Sequence, residues 1–234
     1  AAMLREYPRA GVAHAAVQEI DEAGRPRRAR RLNRATGLQA SETALREGVS
    51  GYRVAANICM FRRQALPPEP VYRPGTDFVE DWDLYLRIAA GGWDNVYCDR
   101  LLSCYRVAGD PGPTRVARKL SEWRGMGRLY DDTLHPSYAV RRWETAPLLQ
   151  AREKIAREQA RVLRRVARPS EDYRQMQAEL FRLGDSPGLR WRLALLGAGL
   201  GGALDAWAWI RLKLRDTAKA ALSMVRLRRG QNLP

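Results

Sequence analysis

The chain has 234 residues, of which 45% are apolar, and its formal net charge at pH 7 is +15. An apolar share of this size is enough to form a core, which excludes an intrinsically disordered protein. The positive charge is concentrated in the back half, since residues 111–234 contain 25 Lys/Arg against 12 Asp/Glu. We therefore expect any polyanionic partner to bind there: phospholipid head groups, nucleic acid or an acidic lipid-linked substrate.

The cysteines and histidines argue against a disulfide-bonded protein and against a His/Cys metal site. Cys59, Cys98 and Cys104 form no C-x-x-C pair and no even disulfide set, which is typical of a reducing compartment. With His14 and His135 as the only histidines, a His/Cys metal site is not expected. The N-terminus shows no secretory signal, and the chain begins as if in the middle of a domain.

The first 108 residues are predicted to alternate between helices and strands. In chain order the pattern predicts a helix end at 2–7, a buried strand at 11–20, a turn at 21–24 and a basic loop at 25–31. A short helix at 38–47 with Ser41 as its cap, a buried strand at 54–61 and a proline-rich loop at 67–74 follow. The last predicted elements are a helix from Glu80 to Gly91-Gly92, a strand at 93–102 and a short strand at 103–107. This alternation indicates an α/β fold.

Beyond a linker at 109–113 the pattern becomes helical, and we place a domain boundary there. Helices are predicted at 121–130, 145–166, 171–183 and 189–227. The last contains an apolar stretch, 193–210, flanked by Arg and Lys, which is barely long enough to span a bilayer. Three alternatives stay open for it: a helix lying on an anionic membrane surface, packing against protein, and a true span.

The most informative segment is 78–89 (FVEDWDLYLRIA), where three carboxylates open an otherwise apolar helix. Acids in a first turn ordinarily complement the helix dipole and its free N–H groups. Because little of this helix can face water, its acids are also expected at the edge of a core, where a carboxylate can act as a base.

Four motifs in order make residues 3–106 resemble the second half of a family 2 glycosyltransferase domain. They are a strand ending in I-D-x-x-G-R at 20–25, an Asn-containing strand that runs into F-R-R-x-x-L at 57–66, E-D-W-D-L-x-L-R-x-A at 80–89, and the Tyr-Arg of a Y-R-x-H motif at 105–106. The resemblance implies a partial GT-A sheet at 1–108, which lacks its N-terminal donor-binding half, followed by a basic α-helical extension at 109–234.

This chain departs from the family pattern at two points. The nucleotide-binding strand and the D-x-D motif of the family are absent, and Ala108 stands in place of the histidine of Y-R-x-H. The divalent metal that the resemblance implies for the complete enzyme, Mn or Mg, therefore has no ligands in this chain. The isolated chain is expected to be inactive.

The resemblance also implies roles for individual residues. Asp81 corresponds to the catalytic base of an inverting transferase, and Glu80 to its neighbour facing the acceptor. Candidate substrate-binding residues are Asn57, Trp82, Tyr105 and Arg106. Two of these carry a structural alternative from the residue type itself. Trp82, like Tyr85 beside it, could stack on a sugar, but aromatic residues of a buried helix more often belong to a core. Arg106 suits solvent as well as phosphate. Asp83 is predicted to pair with Arg87 on the helix surface.

The implied function is transfer of a sugar from a nucleotide-sugar donor to a hydroxyl of a glycan or lipid-linked acceptor. The alternative is a non-catalytic scaffold, or a membrane- or polyanion-binding protein that derives from a truncated transferase gene. Segment 189–229 is the candidate for contact with an anionic membrane surface, and a cytoplasmic location at the inner face of the membrane is expected. No helix-turn-helix, zinc-finger or RNP-like pattern supports nucleic-acid binding.

Overall fold

The computed structural model of the chain describes residues 1–51, 58–107, 113–168 and 170–202. They form a mixed α/β structure with a curled mixed sheet, so the predicted fold class is confirmed at that level. The chain divides into two units, Ala1–Asp185 and Ser186–Pro234, and the sheet lies in the first. The predicted boundary after residue 108 stays a prediction.

The apolar run at the start of the chain forms the central strand of the sheet. The described strands are β1 (Ala10–Ile20), β2 (Pro26–Arg30), β3 (Gly37–Gln39), β4 (Cys59–Phe61) and β5 (Asp94–Arg106). Strand β1 pairs in parallel with β5 along one side and antiparallel with β4 and then β2 along the other, and β3 pairs antiparallel with β5. Strand β1 has partners on both sides, and most of its residues are buried, as its composition predicts.

The described α-helices belong to the first unit, except the last one, which belongs to the second. They are α1 (Ala2–Glu6), α2 (Ser41–Glu47), α3 (Glu80–Ala90), α4 (Pro113–Leu129), α5 (His135–Val140), α6 (Ala146–Gln159), α7 (Glu171–Leu183) and α8 (Pro187–Gly197). A π-helical turn, Tyr130–Leu134, joins α4 to α5. Helix α3 packs against β1 and α2, with Tyr85 against Val12, and its end at Gly91-Gly92 is confirmed.

Two predictions for the sheet are wrong. The basic segment 25–31 was predicted as a loop, but Pro26–Arg30 is a strand that is exposed along its whole length. The turn Asp21–Gly24 folds the chain back onto the open side of β1, and arginines suit such an edge because they stay hydrated there. The two strands predicted at 93–107 are one strand, β5, because it continues along β1 through irregularities in register rather than ending.

Four predicted helices differ from the observed ones at their ends. The helix predicted at 121–130 is part of α4, which begins at Pro113, and the helix predicted at 189–227 begins as α8, which ends at Gly197. The helix predicted at 38–47 begins only at Ser41, because residues 37–39 pair with β5, and the residue at the N-cap is Ala40. The helix predicted at 145–166 is α-helical to Gln159 and then tightens into a 3₁₀ turn, Ala160–Arg165. The helix at 171–183 is confirmed in full, with Ser170 as its cap.

Other predicted segments extend past the described residues. The first half of the strand predicted at 54–61, residues 54–57, falls outside them, and the described second half includes β4. The predicted linker up to residue 112 and most of the last helix also fall outside them, including residues 203–210 of the apolar stretch 193–210 and the greater part of 189–229. No helix within the described part of the chain combines the length and the apolar character that a membrane span requires.

Candidate functional site

Helix α3 places three carboxylates at the edge of the core. Its first turn carries Glu80, Asp81 and Asp83, and most of the residues that follow are buried. Because successive side chains on an α-helix are rotated by about 100°, the three carboxylates point in different directions. Each therefore has its own surroundings, and the three differ in what they can do chemically.

Asp81 is half-buried and lines a cavity of about 960 Å³. The other walls of this cavity come from β1, from β2 and the loop behind it, and from α4 and α6. Burial raises the pKa of the Cys59 thiol to about 12, and the charge of Asp81 adds to this rise. Burial also raises the pKa of Tyr72, again with a contribution from Asp81. The Asp81 carboxylate thus combines access to a cavity with partial shielding from water, as a general base requires.

Glu80 is also half-buried, but it is not among the residues that line this cavity. Its Oε2 atom is enclosed and accepts no hydrogen bond from any residue that the structure describes. Its charge contributes a small part of the raised pKa of Tyr72. The structure thus separates the two adjacent acids, since Asp81 lines the cavity and Glu80 does not.

Asp83 is fully buried in a network of hydrogen bonds and ion pairs. Arg87 Nε donates to Asp83 Oδ2 at 2.7 Å, and Thr133 Oγ1 donates to Asp83 Oδ1 at 2.8 Å. Arg73 approaches the same carboxylate at 3.8 Å. The predicted pairing with Arg87 is confirmed, but its predicted surface location is wrong, because Thr133 and the turn that carries it cover the pair. These contacts support the structural role predicted for Asp83.

The aromatic residues of α3 belong mainly to the core. Trp82 is 7% exposed, its Nε1 donates to the Gly48 carbonyl at 2.8 Å, and its ring meets Tyr130 edge-on. Tyr85 is 1% exposed, and its hydroxyl lies 2.9 Å from the Cys59 sulfur. Trp82 still lines the cavity, but most of its ring is enclosed by protein.

The two candidate residues at the end of β5 have different surroundings. Tyr105 lines the cavity and is 38% exposed, with the guanidinium carbon of Arg30 5.5 Å from its ring centroid. Arg106 lies outside the cavity lining, and its Nη1 donates to the carbonyls of Asp21 and Glu22 at 2.9 and 2.7 Å. Arg106 thus fastens β5 to the turn between β1 and β2.

Three of the candidates are not placed in one cavity with Asp81, and Glu80, which lies outside the lining, is one of them. Arg106 is held by the turn, and Asn57 lies outside the described residues. Asp81, Trp82 and Tyr105, by contrast, come from two separate sequence motifs and line the same cavity.

Sequence reasoning missed two residues at this cavity. His14 is buried on β1, where its Nε2 lies 2.9 Å from Arg34 Nη2 and its ring packs against Tyr97. Its position inside an apolar strand was a usable signal, since a titratable ring there needs partners. Phe78 has a left-handed backbone, with φ at 66°, and is half exposed. No sequence signal marks it, since this conformation is uncommon for residues other than glycine.

Five cationic side chains of the described residues line the cavity, and carboxylates pair with four of them. Arg28 and Arg30 bind Glu19 at 2.7 and 3.0 Å. The other two pairs are Arg31 with Asp99 at 2.7 Å and Lys119 with Glu122 at 2.6 Å. The fifth, Arg118, has no carboxylate within ion-pair distance among the described residues, and its guanidinium carbon lies 5.7 Å from the Phe78 ring centroid.

The described residues do not fit the cation that the family resemblance implies. Within 1–51, 58–107, 113–168 and 170–202, no group of three or more His, Cys, Asp or Glu side chains could hold a metal ion. Comparison of the chain with protein-family models, with curated proteins and with solved structures gave no match.

Proposed function

We propose that this chain is the acceptor-side part of an inverting family 2 glycosyltransferase of the GT-A fold, with Asp81 as its catalytic base. One observation carries the proposal: the Asp81 carboxylate lies at the start of a buried helix and opens into a cavity of about 960 Å³. The four motifs in family order support it, and so does Tyr105, which comes from another of these motifs and lines the same cavity.

The chemistry assigned to Asp81 is proton transfer. Its carboxylate accepts the proton of the acceptor hydroxyl as the hydroxyl oxygen forms a bond to the anomeric carbon of the donor sugar. The bond between that carbon and the diphosphate oxygen breaks, and the nucleoside diphosphate leaves with the electron pair. Attack from the side opposite the leaving group inverts the configuration at the anomeric carbon.

Donor binding is not assigned to the described residues. The divalent cation implied by the resemblance would neutralise the departing diphosphate, but no described cluster fits it, and no step is assigned to it here. The described part of the proposed enzyme supplies the base, the acceptor cavity and the packing that orients both.

The proposal is tested by Asp81→Asn in the longest open reading frame that encodes the chain. Release of nucleoside diphosphate is measured with a panel of nucleotide sugars, Mn²⁺ and glycan acceptors. Loss of a general base lowers rates by a factor of about 10² to 10⁴, and we expect a fall in this range. Asp77→Asn is the matched control, because Asp77 is an exposed acid four residues away that does not line the cavity.

The urea unfolding midpoint of each variant separates chemistry from folding. A transfer rate that survives in Asp81→Asn would rule out Asp81 as the base. A rate that is lost together with the folded state would instead assign Asp81 a structural role.

The alternative is a non-catalytic protein that binds a polyanion or a membrane surface. It is supported by the exposed arginines of β2 and, separately, by α8, where Trp191 is 66% exposed between Arg190 and Arg192. Such a pairing of an aromatic ring with flanking cations suits a membrane interface. Absence of transfer from every donor, in every in-frame extension of the chain, would favour this alternative over the transferase.

A further inference from the structure

The aromatic surface that the cavity offers to a ligand differs from the one the sequence predicts. Trp82 and Tyr85 are held in the core by Gly48 and Cys59. Among the described aromatic residues that line the cavity, Phe78 and Tyr105 are the exposed ones, at 50% and 38%. An exposed aromatic face beside a cavity is a binding surface for the apolar C–H face of a sugar ring.

Phe78 is held at the cavity by an unusual backbone. Its φ of 66° is a conformation that costs free energy for a residue with a bulky side chain, and it immediately precedes the segment that begins α3. The next residue, Val79, is buried, and its Cγ2 would lie 2.8 Å from a Cβ at Gly125 of α4. Packing of Val79 against α4 thus fixes the chain next to Phe78, while the ring itself stays exposed.

Arg118 places beside this ring a positive charge that pairs with no carboxylate of the described residues. The other four cations of the cavity are bound to Glu19, Asp99 or Glu122. Arg118 has no such partner among the described residues, and it lies over the Phe78 ring. A guanidinium binds carboxylates and phosphates through two parallel hydrogen bonds, so this arrangement favours an anionic group.

We infer that Phe78 and Arg118 form an acceptor subsite for a sugar that carries one carboxylate or phosphate group. This inference rests on the proposed function, and it narrows the acceptor to anionic sugars. The sugar ring packs on Phe78, its charged group binds the Arg118 guanidinium, and Tyr105 offers a second aromatic face at the same cavity. A polyanion fits less well, because the carboxylates of Asp81, Glu122 and Glu158 also line the cavity.

The inference is tested by titrating the chain with four probes and measuring the binding of each by ligand-observed NMR. The probes are methyl glucuronide, glucose 6-phosphate, the neutral methyl glucoside, and inorganic phosphate as a charge without a sugar ring. We expect one or both anionic sugars to bind at least about tenfold more tightly than methyl glucoside and phosphate, and which of the two binds distinguishes a carboxylate from a phosphate. Equal binding of methyl glucoside and of both anionic sugars would overturn the inference.

Substitutions assign the binding to the two residues. Phe78→Gly removes the ring and suits the left-handed backbone, so the variant is expected to fold, and Arg118→Gln removes the charge. Each should weaken binding of the preferred probe about tenfold or more. The matched controls are Phe181→Ala, an exposed ring outside the cavity, and Arg27→Gln, an exposed β2 arginine outside its lining. Undiminished binding in Phe78→Gly or Arg118→Gln would overturn the inference.

The titration needs neither donor nor turnover, so its result is independent of the Asp81→Asn assay. Suppose that binding depends on Phe78 and Arg118 but that transfer does not depend on Asp81. This result supports the subsite and rules out Asp81 as the base. Transfer that needs Asp81, without any binding that depends on Phe78 or Arg118, supports the transferase and removes the subsite.

Discussion

His14 brings a titratable ring into an otherwise apolar strand. Burial lowers its pKa from the ordinary value of 6.5 to about 3, and the positive charge of Arg34 adds to the effect. Because the guanidinium can only donate, His14 Nε2 accepts the hydrogen bond from Arg34, and the proton of the neutral ring is on Nδ1. Protonation would place a second cation beside Arg34 in the protein interior.

This lowered pKa predicts that acid destabilises the fold through His14. In the unfolded chain the ring takes up a proton below its ordinary pKa near 6.5, whereas in the folded protein it stays neutral down to about 3. Above the pKa of the unfolded state the ring is neutral in both states, so His14 does not lower the free energy of unfolding. As the pH falls toward the pKa of the folded state, only the unfolded chain takes up the proton, and the folded protein becomes less stable. The free energy of unfolding should therefore fall by about 1.4 kcal/mol for each pH unit between about pH 6 and pH 4.

Urea unfolding of the wild type and of His14→Gln across this pH range measures the effect. His135 also has a pKa lowered by burial, but it is present in both proteins, so the difference between them isolates His14. Parallel pH profiles for the two proteins would contradict the assignment.

Asp81 and Asp83 show how two carboxylates of one helical turn acquire different roles. Asp83 is enclosed by Arg87 and Thr133, and a carboxylate held in this way is committed to structure. Asp81 is two residues earlier on the same helix, and at that position it lines the cavity. The difference comes from the neighbouring elements, since both residues have the same side chain.

At the level of elements, the contact between α4 and the segment before α3 holds the candidate site together. Gly125 on α4 is buried, and a Cβ there would lie 2.8 Å from Val79 Cγ2 and 3.1 Å from the Asp77 carbonyl. The absence of a side chain at Gly125 therefore allows α4 to approach the chain next to Phe78. Gly127, on the same helix, has open space around the position of a Cβ.

These two glycines give a matched pair of predictions. Gly125→Ala should destabilise the protein by about 1–3 kcal/mol, because α4 or the segment before α3 must shift to admit the methyl group. Gly127→Ala should stabilise it by up to about 1 kcal/mol, because alanine is the better helix former and nothing obstructs it. Urea unfolding midpoints test both changes, and equal effects of the two substitutions would contradict this account of the helix contact.

At the level of the whole molecule, contacts join the two sides of residue 108. Thr133 donates to the buried carboxylate of Asp83 at 2.8 Å, and the Tyr130 hydroxyl donates to the carbonyl of Val49. Tyr130 also packs against Trp82. These contacts bury polar groups of the first 108 residues that would otherwise face water or stay unpaired.

We therefore predict that residues 1–108 do not fold when they are produced alone. Residues 1–185 should give a single cooperative urea transition, because they contain both sides of these contacts. Circular dichroism against urea concentration compares the two polypeptides. A cooperative transition for 1–108 alone would show that the contacts across residue 108 are dispensable for folding.

Local sequence patterns predict much of the fold. The spacing of apolar residues and the positions of glycines predict β1, α3 and α7, because helix and strand periodicity and chain reversal depend on near neighbours. They fail at 25–31, where the strand exists only because β1 offers an open edge. The family resemblance named Asp81, Trp82 and Tyr105, which line one cavity, but it gave no sign of His14 or Phe78.

The sequence by itself determined the α/β class, the acidic start of α3 and the strongly basic back half, since these follow from composition and from the spacing of neighbouring residues. Only the tertiary structure decided which carboxylate is enclosed and which opens into the cavity. It also decided which aromatic rings stay exposed and which cation of the cavity lacks a carboxylate partner among the described residues. The physical reason is that burial and charge pairing depend on residues distant in the chain, such as Thr133 for Asp83 and Arg118 for Phe78.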